Sequence, residues 1–222
     1  MAKRDEESYD GFKCMFPLFL NIENRLALVV GGGPVGRRKA RALLNAGGQV
    51  RLVCLEPRPA DESAERLQWL QEPYRADHLE GVALAFAAAP SEINRQVAAD
   101  ARQRGIWVNV ADDPDGSDFF LPAITRRGDL LIAVGTGGAA PALAQEVRDL
   151  LETQFDGAFQ QWVAALGEIR HLILEKVSDP NRRRELFHRF CRWDWLERFR
   201  HEDASAVQAA MMAEVRQKFH ES

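Results

Sequence analysis

The stretch LALVVGGGPVGRRKARALLNAG, residues 26–47, decides the fold of this chain. It opens with an apolar run containing paired valines, which is typical of a strand covered on both faces of a sheet. Gly31, Gly33 and Gly36 follow in the spacing G-x-G-x-x-G, where they allow a tight bend, a close approach to a pyrophosphate and close helix packing. The free N–H groups of the helix that follows then point at the anion. The stretch therefore predicts a dinucleotide-binding unit.

A second strand, QVRLVCLE at 49–56, ends in an acid that bears on the choice of cofactor. Glu56 lies twenty residues after Gly36, where a dinucleotide fold presents a carboxylate to the adenosine ribose. A carboxylate there accepts hydrogen bonds from a diol and repels a 2′-phosphate, so the residue favours NAD over NADP. The alternative is a solvated glutamate at a strand end before Pro57, and nearby Arg58 makes the preference less sharp.

Length, charge and cysteine spacing exclude several classes of protein. The formal net charge of −4 over 222 residues gives no general attraction for nucleic acid. The N-terminus lacks the apolar core of a signal peptide, and no apolar run approaches about 18 residues, so we expect a soluble, cytoplasmic protein without a membrane span. The three cysteines are far apart, odd in number and without a C-x-x-C pair, so neither a disulfide framework nor a thiolate zinc site is indicated, and the histidines have no metal-ligand spacing. We predict no metal site, and a buried Cys54.

The rest of the first 115 residues alternates between strand and helix patterns. Residues 1–13 are expected to form a mobile polar arm, and 16–25 an entry segment that bends at Asn24. The remaining pattern predicts helices at 60–70 and 91–105, the second between an N-cap at Ser91 and a stop at Gly105, and strands at 82–89 and 107–111. Such alternation predicts an α/β fold with a Rossmann-type, doubly wound parallel sheet over residues 1–115.

Two acids follow the last strand of this predicted sheet. In doubly wound sheets ligands bind beyond the carboxyl ends of the strands, and here that position reads Asn-Val-Ala-Asp-Asp-Pro at 109–114. Asp112 and Asp113 would lie where the nicotinamide end of the cofactor is expected. The alternative is an ordinary Asp-Pro turn, because both residue types are common turn formers.

From residue 116 the pattern changes to a small α+β segment and then to helices. Residues 116–150 contain a strand at 130–134, a second glycine turn around Thr136, and a helix from Pro141 to about 152. This segment is too small to form its own core, so we predict a dimerisation domain and a homodimer. The glycine turn is either an anion site or a plain connection.

Residues 151–222 are predicted to form a helical domain with two apolar stripes: Phe159, Trp162, Val163, Leu166, Ile169, Leu172 and Ile173 in one, and Phe187, Phe190, Trp193, Leu196 and Phe199 in the other.

The first turn of the helix after the glycine turn carries the basic run Arg37, Arg38 and Lys39. Cations at that end of a helix oppose its dipole, which suggests a function for them. A polyanionic substrate near the cofactor is one candidate, and Arg126 and Arg127 could add to the same positive field. Solvent-facing side chains are the alternative.

The assembled stretches resemble the siroheme synthase family, and within it the precorrin-2 dehydrogenases. The resemblance lies in FPLFLNIENRLALVVGGGPVGRRKARALLNAG, in VNVADDP and in FFLPAITRRGDLLIAVGTGGAAPALAQEVRDLLE, which together span most of residues 16–152. It implies NAD-dependent oxidation of precorrin-2 to sirohydrochlorin, and in some members insertion of Fe²⁺ as a second reaction.

The resemblance also implies roles for particular residues. Asp112 corresponds to the family's essential aspartate, expected as a general base. Cofactor contacts fall on Pro34, Val35, Leu55 and Glu56, in addition to the three motif glycines. The substrate has eight carboxylates, which would account for Arg37, Arg38 and Lys39 as its ligands. The family's serine-rich turn keeps one hydroxyl here, at Thr136, whereas its second serine is Ala140.

Two other functions stay open at this point. The chain could be a chelatase that has kept the fold without redox activity, although its intact glycine set and Glu56 argue against that. It could also be a non-catalytic NAD-sensing dimer whose helical end contacts a partner.

Overall fold

The computed structural model describes residues 15–60 and 65–219, and the chain divides into two compact units between Leu121 and Pro122. The predicted polar arm at 1–13 lies outside the described residues. The second unit includes both the segment predicted for dimerisation and the helices after it. The subdivision into 116–150 and 151–222 therefore stays a prediction.

Over residues 15–60 and 65–121, the first unit has five strands and two long helices. The strands are β1 (Leu26–Val30), β2 (Gln49–Cys54), β3 (Leu67–Gln71), β4 (Leu84–Ala87) and β5 (Trp107–Val110), and the helices are α1 (Pro34–Asn45) and α2 (Ser91–Gln103), with a 3₁₀ helix at Ala76–Leu79. All strands are parallel, in the order β3-β2-β1-β4-β5. Alternate β1 residues enter two apolar clusters, Val29 with α1 and Leu28 with α2, so the helices cover opposite faces. This confirms the predicted doubly wound α/β sheet.

The chain reverses direction across the sheet at β1. From there it runs to β2 and β3 on one side and returns to β4 and β5 on the other. In such sheets the crevice at the carboxyl ends of the two strands flanking the reversal is where ligands bind. Here those strands are β1 and β4, whose central residues Val29 and Phe86 are paired in register.

The helix predicted at 60–70 is wrong where the structure describes it, because Leu67–Gln71 is strand β3. It pairs along β2 at the edge of the sheet, with Leu67 beside Val50. Leu67 and Leu70 are three residues apart, which imitates helical spacing, and an edge strand has no continuous apolar run to correct that impression. The predicted third and fourth strands are therefore β4 and β5.

Local turn predictions for the first unit hold with one exception. Asn24 has φ +56, as expected of the bend before β1, and Gly105, with φ +69, ends α2. Ser91, in contrast, does not cap α2: Pro90 is the N-cap, and Ser91 is the first helical residue. Cys54 is buried as predicted.

The second unit begins with a hairpin of which only one strand was predicted. Strands β6 (Ala123–Arg127) and β7 (Leu130–Val134) pair antiparallel around Gly128, which has φ +58. The pattern missed β6 because Thr125-Arg126-Arg127 is polar. Arg127 donates to the backbone carbonyl oxygens of Phe155 (2.7 Å) and Glu152 (3.2 Å), so it is bound within this unit.

Five helices complete the second unit: α3 (Pro141–Gln154), α4 (Gly157–Lys176), α5 (Pro180–Phe190), α6 (Trp193–His201) and α7 (Ala204–Phe219). Pro141 is the first residue of α3, as predicted. The buried core draws on α4 to α7, and the Trp162 indole N–H within it donates to the Phe190 carbonyl at 3.2 Å. The prediction that Trp193 lies in the core is wrong, because its side chain is 61% exposed, and Trp195 is buried instead. None of the described helices has the length and hydropathy to cross a membrane.

Candidate active site

The three motif glycines of the turn after β1 have different surroundings: two are packed against backbone atoms, and the third faces open space. A Cβ at Gly31, which has φ +116, would overlap the Ala88 carbonyl oxygen, and one at Gly36 would overlap the Gly31 carbonyl oxygen. At Gly33, in contrast, a Cβ would meet nothing within 4 Å. Gly33 is also the N-cap of α1, which has no side-chain cap and no acid in its first turn. The turn therefore fits an anionic pyrophosphate at the N-terminus of α1.

Gly32 is a site residue that the motif did not single out. A Cβ there would lie 2.7 Å from the Cys54 Sγ and 3.0 Å from Glu56 Oε2. The structure thus brings the Glu56 carboxylate against the glycine turn. Burial, and secondarily Glu56, raises the pKa of the Cys54 thiol to about 11, so this sulfur stays protonated at neutral pH. The only clue to Gly32 in the sequence was a third consecutive glycine.

The loop that carries Glu56 is held by the edge strand β3. The Trp69 indole N–H donates to the Glu56 carbonyl at 3.1 Å, and the Gln71 amide donates to the Leu55 carbonyl at 3.2 Å. The Cys54 thiol also donates to the Glu56 carbonyl, at 3.3 Å. These donors fix the backbone at 55–56, while the Leu55 side chain itself is exposed.

At the end of β5 the two candidate acids have different surroundings. Asp113 accepts a hydrogen bond from the Gly116 N–H at 2.8 Å, so its carboxylate closes the turn. Asp112 is exposed, and it adopts the left-handed conformation, with φ +60, that aspartate tolerates better than most residues. Within residues 15–60 and 65–219, no hydrogen bond engages its carboxylate. Asp113 thus has the turn-forming role, and Asp112 is available for chemistry.

The turn that carries Asp112 is fixed to the outer edge of β5 by polar side chains. Asp118 accepts from the Val108 N–H and Ser117 from the Val110 N–H, both at 2.9 Å. Both strand N–H groups therefore have partners although β5 has no neighbouring strand on that side. Asn109, buried between them, donates from Nδ2 to the Phe119 carbonyl at 2.9 Å.

The basic run after the glycine turn separates into residues with different surroundings. The Lys39 ammonium donates to Asn109 Oδ1 at 2.6 Å and lies 5.3 Å from the centre of the Phe86 ring. Burial lowers the pKa of Lys39, and Arg38 lowers it further, whereas Asp112 acts to raise it. Arg38 is exposed and Arg37 is half-buried, and the buried Nε atom of Arg37 has no hydrogen-bond partner among the described residues. Lys39 therefore links the start of α1 to the end of β5.

The second glycine turn lies in the other unit. Thr136 Oγ1 accepts a hydrogen bond from the Ala140 N–H at 3.1 Å, and Gly137 and Gly138 have φ +64 and +88. The hydroxyl of Thr136 thus organises the start of α3. Among the residues that the structure describes, no three or more His, Cys, Asp or Glu side chains are grouped so as to hold a metal ion.

Two family models match successive parts of the chain. Residues 18–123 match a family model described as putative NAD(P)-binding, and residues 127–154 match one described as sirohaem biosynthesis protein central. A siroheme synthase of Chromobacterium violaceum is 37% identical over 201 residues, which are 88% of this chain and 43% of that protein. A siroheme synthase of Pseudomonas aeruginosa is 37% identical over 210 residues, which are 92% of this chain and 43% of that protein.

A solved structure titled "SirC, precorrin-2 dehydrogenase" has a TM-score of 0.72 and 23% sequence identity, covering 91% of this chain and all of that one. This likeness shows the fold. The chain spans less than half the length of the curated relatives that it matches.

Proposed function

Because the chain belongs to the siroheme synthase family, we propose that it is an NAD-dependent precorrin-2 dehydrogenase, which oxidises precorrin-2 to sirohydrochlorin. The observation that carries the proposal is the placement of Asp112, whose carboxylate no hydrogen bond from the described residues engages, at the same end of the sheet as the glycine turn. The hydrogen bond from Lys39 to Asn109 links helix α1, which follows the glycine turn, to strand β5, which precedes Asp112.

Each part of the site has a task in this reaction. The N–H groups at the start of α1 would hold the pyrophosphate of NAD, and Glu56 would accept hydrogen bonds from its adenosine ribose. When bound, NAD supplies the acceptor for a hydride. Asp112 takes the proton that the substrate loses as the hydride leaves. Pro34, Val35 and Leu55 line the cofactor side, as the family resemblance implies.

The substrate side of the proposal rests on charge. Precorrin-2 has eight carboxylates, and Arg37 and Arg38 place two guanidinium groups beside the glycine turn. Thr136 remains a candidate substrate ligand through its second lone pair and its hydroxyl hydrogen.

The exposed carboxylate of Asp112 is also suited to accept pyrrole protons, so insertion of Fe²⁺ as a substrate is a second activity to test. A cytoplasmic location remains a prediction.

An anaerobic assay with purified protein, precorrin-2 and NAD tests the proposal. We expect the absorbances of NADH and sirohydrochlorin to rise together, and ferrous iron added afterwards then tests chelation. Protein that binds NADH but forms no sirohydrochlorin would favour the sensor over the enzyme. Insertion of Fe²⁺ into supplied sirohydrochlorin without any NADH formation would favour the chelatase that lacks redox activity.

Glu56→Gln is expected to weaken NADH binding about tenfold, or about 1.4 kcal/mol, and to narrow the preference over NADPH. A neutral amide accepts weaker hydrogen bonds from the ribose diol and does not repel a 2′-phosphate. Fluorescence titration with both dinucleotides measures the change. Glu80→Gln, at an exposed carboxylate elsewhere in the same unit, is the matched control. An unchanged NADH-to-NADPH ratio would leave Glu56 as a strand end only.

We also propose that the chain forms a homodimer through the segment 116–150. Three of its large apolar side chains, all in the second unit, are each more than half exposed: Ile124, Leu143 and Leu150. Exposed apolar residues concentrated in one short segment are typical of a surface that another chain covers.

The double substitution Leu143→Glu, Leu150→Glu is expected to convert the dimer to a monomer, because two charges would be buried without partners in the interface. Sedimentation velocity measures the mass. Leu174→Glu, at an exposed leucine on α4 of the same unit, should leave the dimer intact. A dimer that survives the double substitution places the interface elsewhere.

A further inference from the structure

One polar connection in the site is not explained by cofactor or substrate contacts. Lys39 and Asn109 are 70 residues apart, and their side chains meet at 2.6 Å. The orientation of the Asn109 amide is fixed at both ends, because an ammonium only donates and the Phe119 carbonyl only accepts. The Lys39 ammonium, the Asn109 amide and the Phe119 backbone thus form a continuous chain of hydrogen bonds.

This chain of hydrogen bonds encloses the segment that carries Asp112. Asn109 lies before that segment and Phe119 after it, so fixing the Asn109 amide fixes both of its ends. Within it, the Ala111 N–H donates to the Ala87 carbonyl at 2.8 Å, and Asp113 closes the turn on Gly116. Asp112 itself has no hydrogen bond from the described residues to hold it. Its position therefore depends on the ends of the segment and on nearby charge.

We infer that Lys39 is a positioning residue for Asp112, which it serves by clamping the Asn109 end of the turn and by presenting a positive charge to the carboxylate. The inference rests on the proposed function, in which Asp112 is the base. It reassigns Lys39 from the substrate ligands, because its ammonium is half-buried over the Phe86 ring and already bonded to Asn109. Arg38, which is exposed one residue earlier, is the better substrate ligand.

The surroundings of the Lys39 ammonium support this role. Strand β4 presents the uncharged Phe86 ring, and helix α1 presents the like charge of Arg38. Asp112 is the carboxylate that acts to raise the pKa of Lys39 and so favours its charged form. A cation that is partly desolvated interacts with such a neighbour more strongly than an exposed one does.

The test replaces Lys39 by methionine, which keeps the length of the side chain and removes its charge and donors. We expect kcat for precorrin-2 oxidation to fall about 10- to 100-fold, because a displaced base is poorly aligned. The affinity for NADH should stay within about threefold of wild type, since the glycine turn and Glu56 are unchanged. In the protein without substrate, hydrogen exchange should accelerate in peptides that cover 110–117. Lys39→Arg, which restores a charged donor, should recover part of kcat.

Arg41→Met removes a cation further along the same helix and serves as the control, with kcat and exchange as in wild type. Three results would overturn the inference: an unchanged kcat in Lys39→Met, unchanged exchange at the turn, or a loss of NADH affinity as large as the loss in kcat. The last would make Lys39 a cofactor ligand. Failure of the proposed function is distinguishable, because wild-type protein would then form no NADH. Should Lys39→Met fold poorly, wild type is compared with Lys39→Arg, which keeps a charged donor and should retain most of the exchange protection at 110–117. Loss of that protection in Lys39→Arg would count against the clamp.

Discussion

Replacement of Asp112 by asparagine is expected to lower kcat for precorrin-2 oxidation by about 10²- to 10⁴-fold, the range typical of losing a general base. Asparagine has nearly the same shape and tolerates the left-handed backbone, with φ +60, that this position requires. Alanine would add backbone strain to the chemical loss and would make the result harder to interpret. The fold and the affinity for NADH should therefore persist, and titration with NADH measures the latter directly.

Asp115→Asn, in the same turn, is the matched control, because it removes one negative charge without touching the proposed base. It should retain near-normal turnover. If Asp112→Asn also turns over normally, the proton leaves by another route and Asp112 has no part in the mechanism. The sensor alternative makes a different prediction: wild type and Asp112→Asn would bind NADH equally well, and neither would form sirohydrochlorin.

The sequence was informative where a local pattern determines the structure. The run at 26–47 defines a buried strand, a glycine turn and a helix within one short stretch, and each of these is confirmed. Edge elements were harder to predict, since β3 and β6 carry exposed polar residues such as Gln68 and Arg126. Periodicity is weak in strands of this kind, and tertiary pairing decides their conformation.

The site was predictable to a similar degree. Spacing located Glu56 and the pair Asp112 and Asp113, but no pattern could say which aspartate closes the turn. That distinction depends on the hydrogen bond from Gly116 and on the backbone angle of Asp112. The contact between Lys39 and Asn109 was also beyond local reasoning, because it requires the strand order β1-β4-β5.

The glycines offer a second prediction with a large effect, in which two similar substitutions act in opposite directions on stability. Gly36→Ala places a Cβ on the Gly31 carbonyl oxygen, which is backbone and cannot move aside. We expect a loss of about 2 kcal/mol in stability, typical of overpacking, and a fall of roughly 4–8 °C in Tm. Gly33→Ala meets nothing within 4 Å and has φ −69, which alanine adopts without strain. It should raise stability by about 0.4–1 kcal/mol through the unfolded state.

Both substitutions are expected to lower the affinity for NADH, although for different reasons. At Gly33 the added methyl group would occupy the space that we propose for the pyrophosphate, so we expect at least about a tenfold loss of NADH affinity, or about 1.4 kcal/mol. Calorimetric unfolding and NADH titration on the same samples separate the two effects. Normal binding by Gly33→Ala would mean that the open space over this residue does not receive the pyrophosphate. The structure has room for a Cβ at Gly33, so we attribute the glycine there to a ligand and not to packing. A Tm for Gly33→Ala as low as that of Gly36→Ala would contradict this, because it would mean that the fold itself requires both glycines.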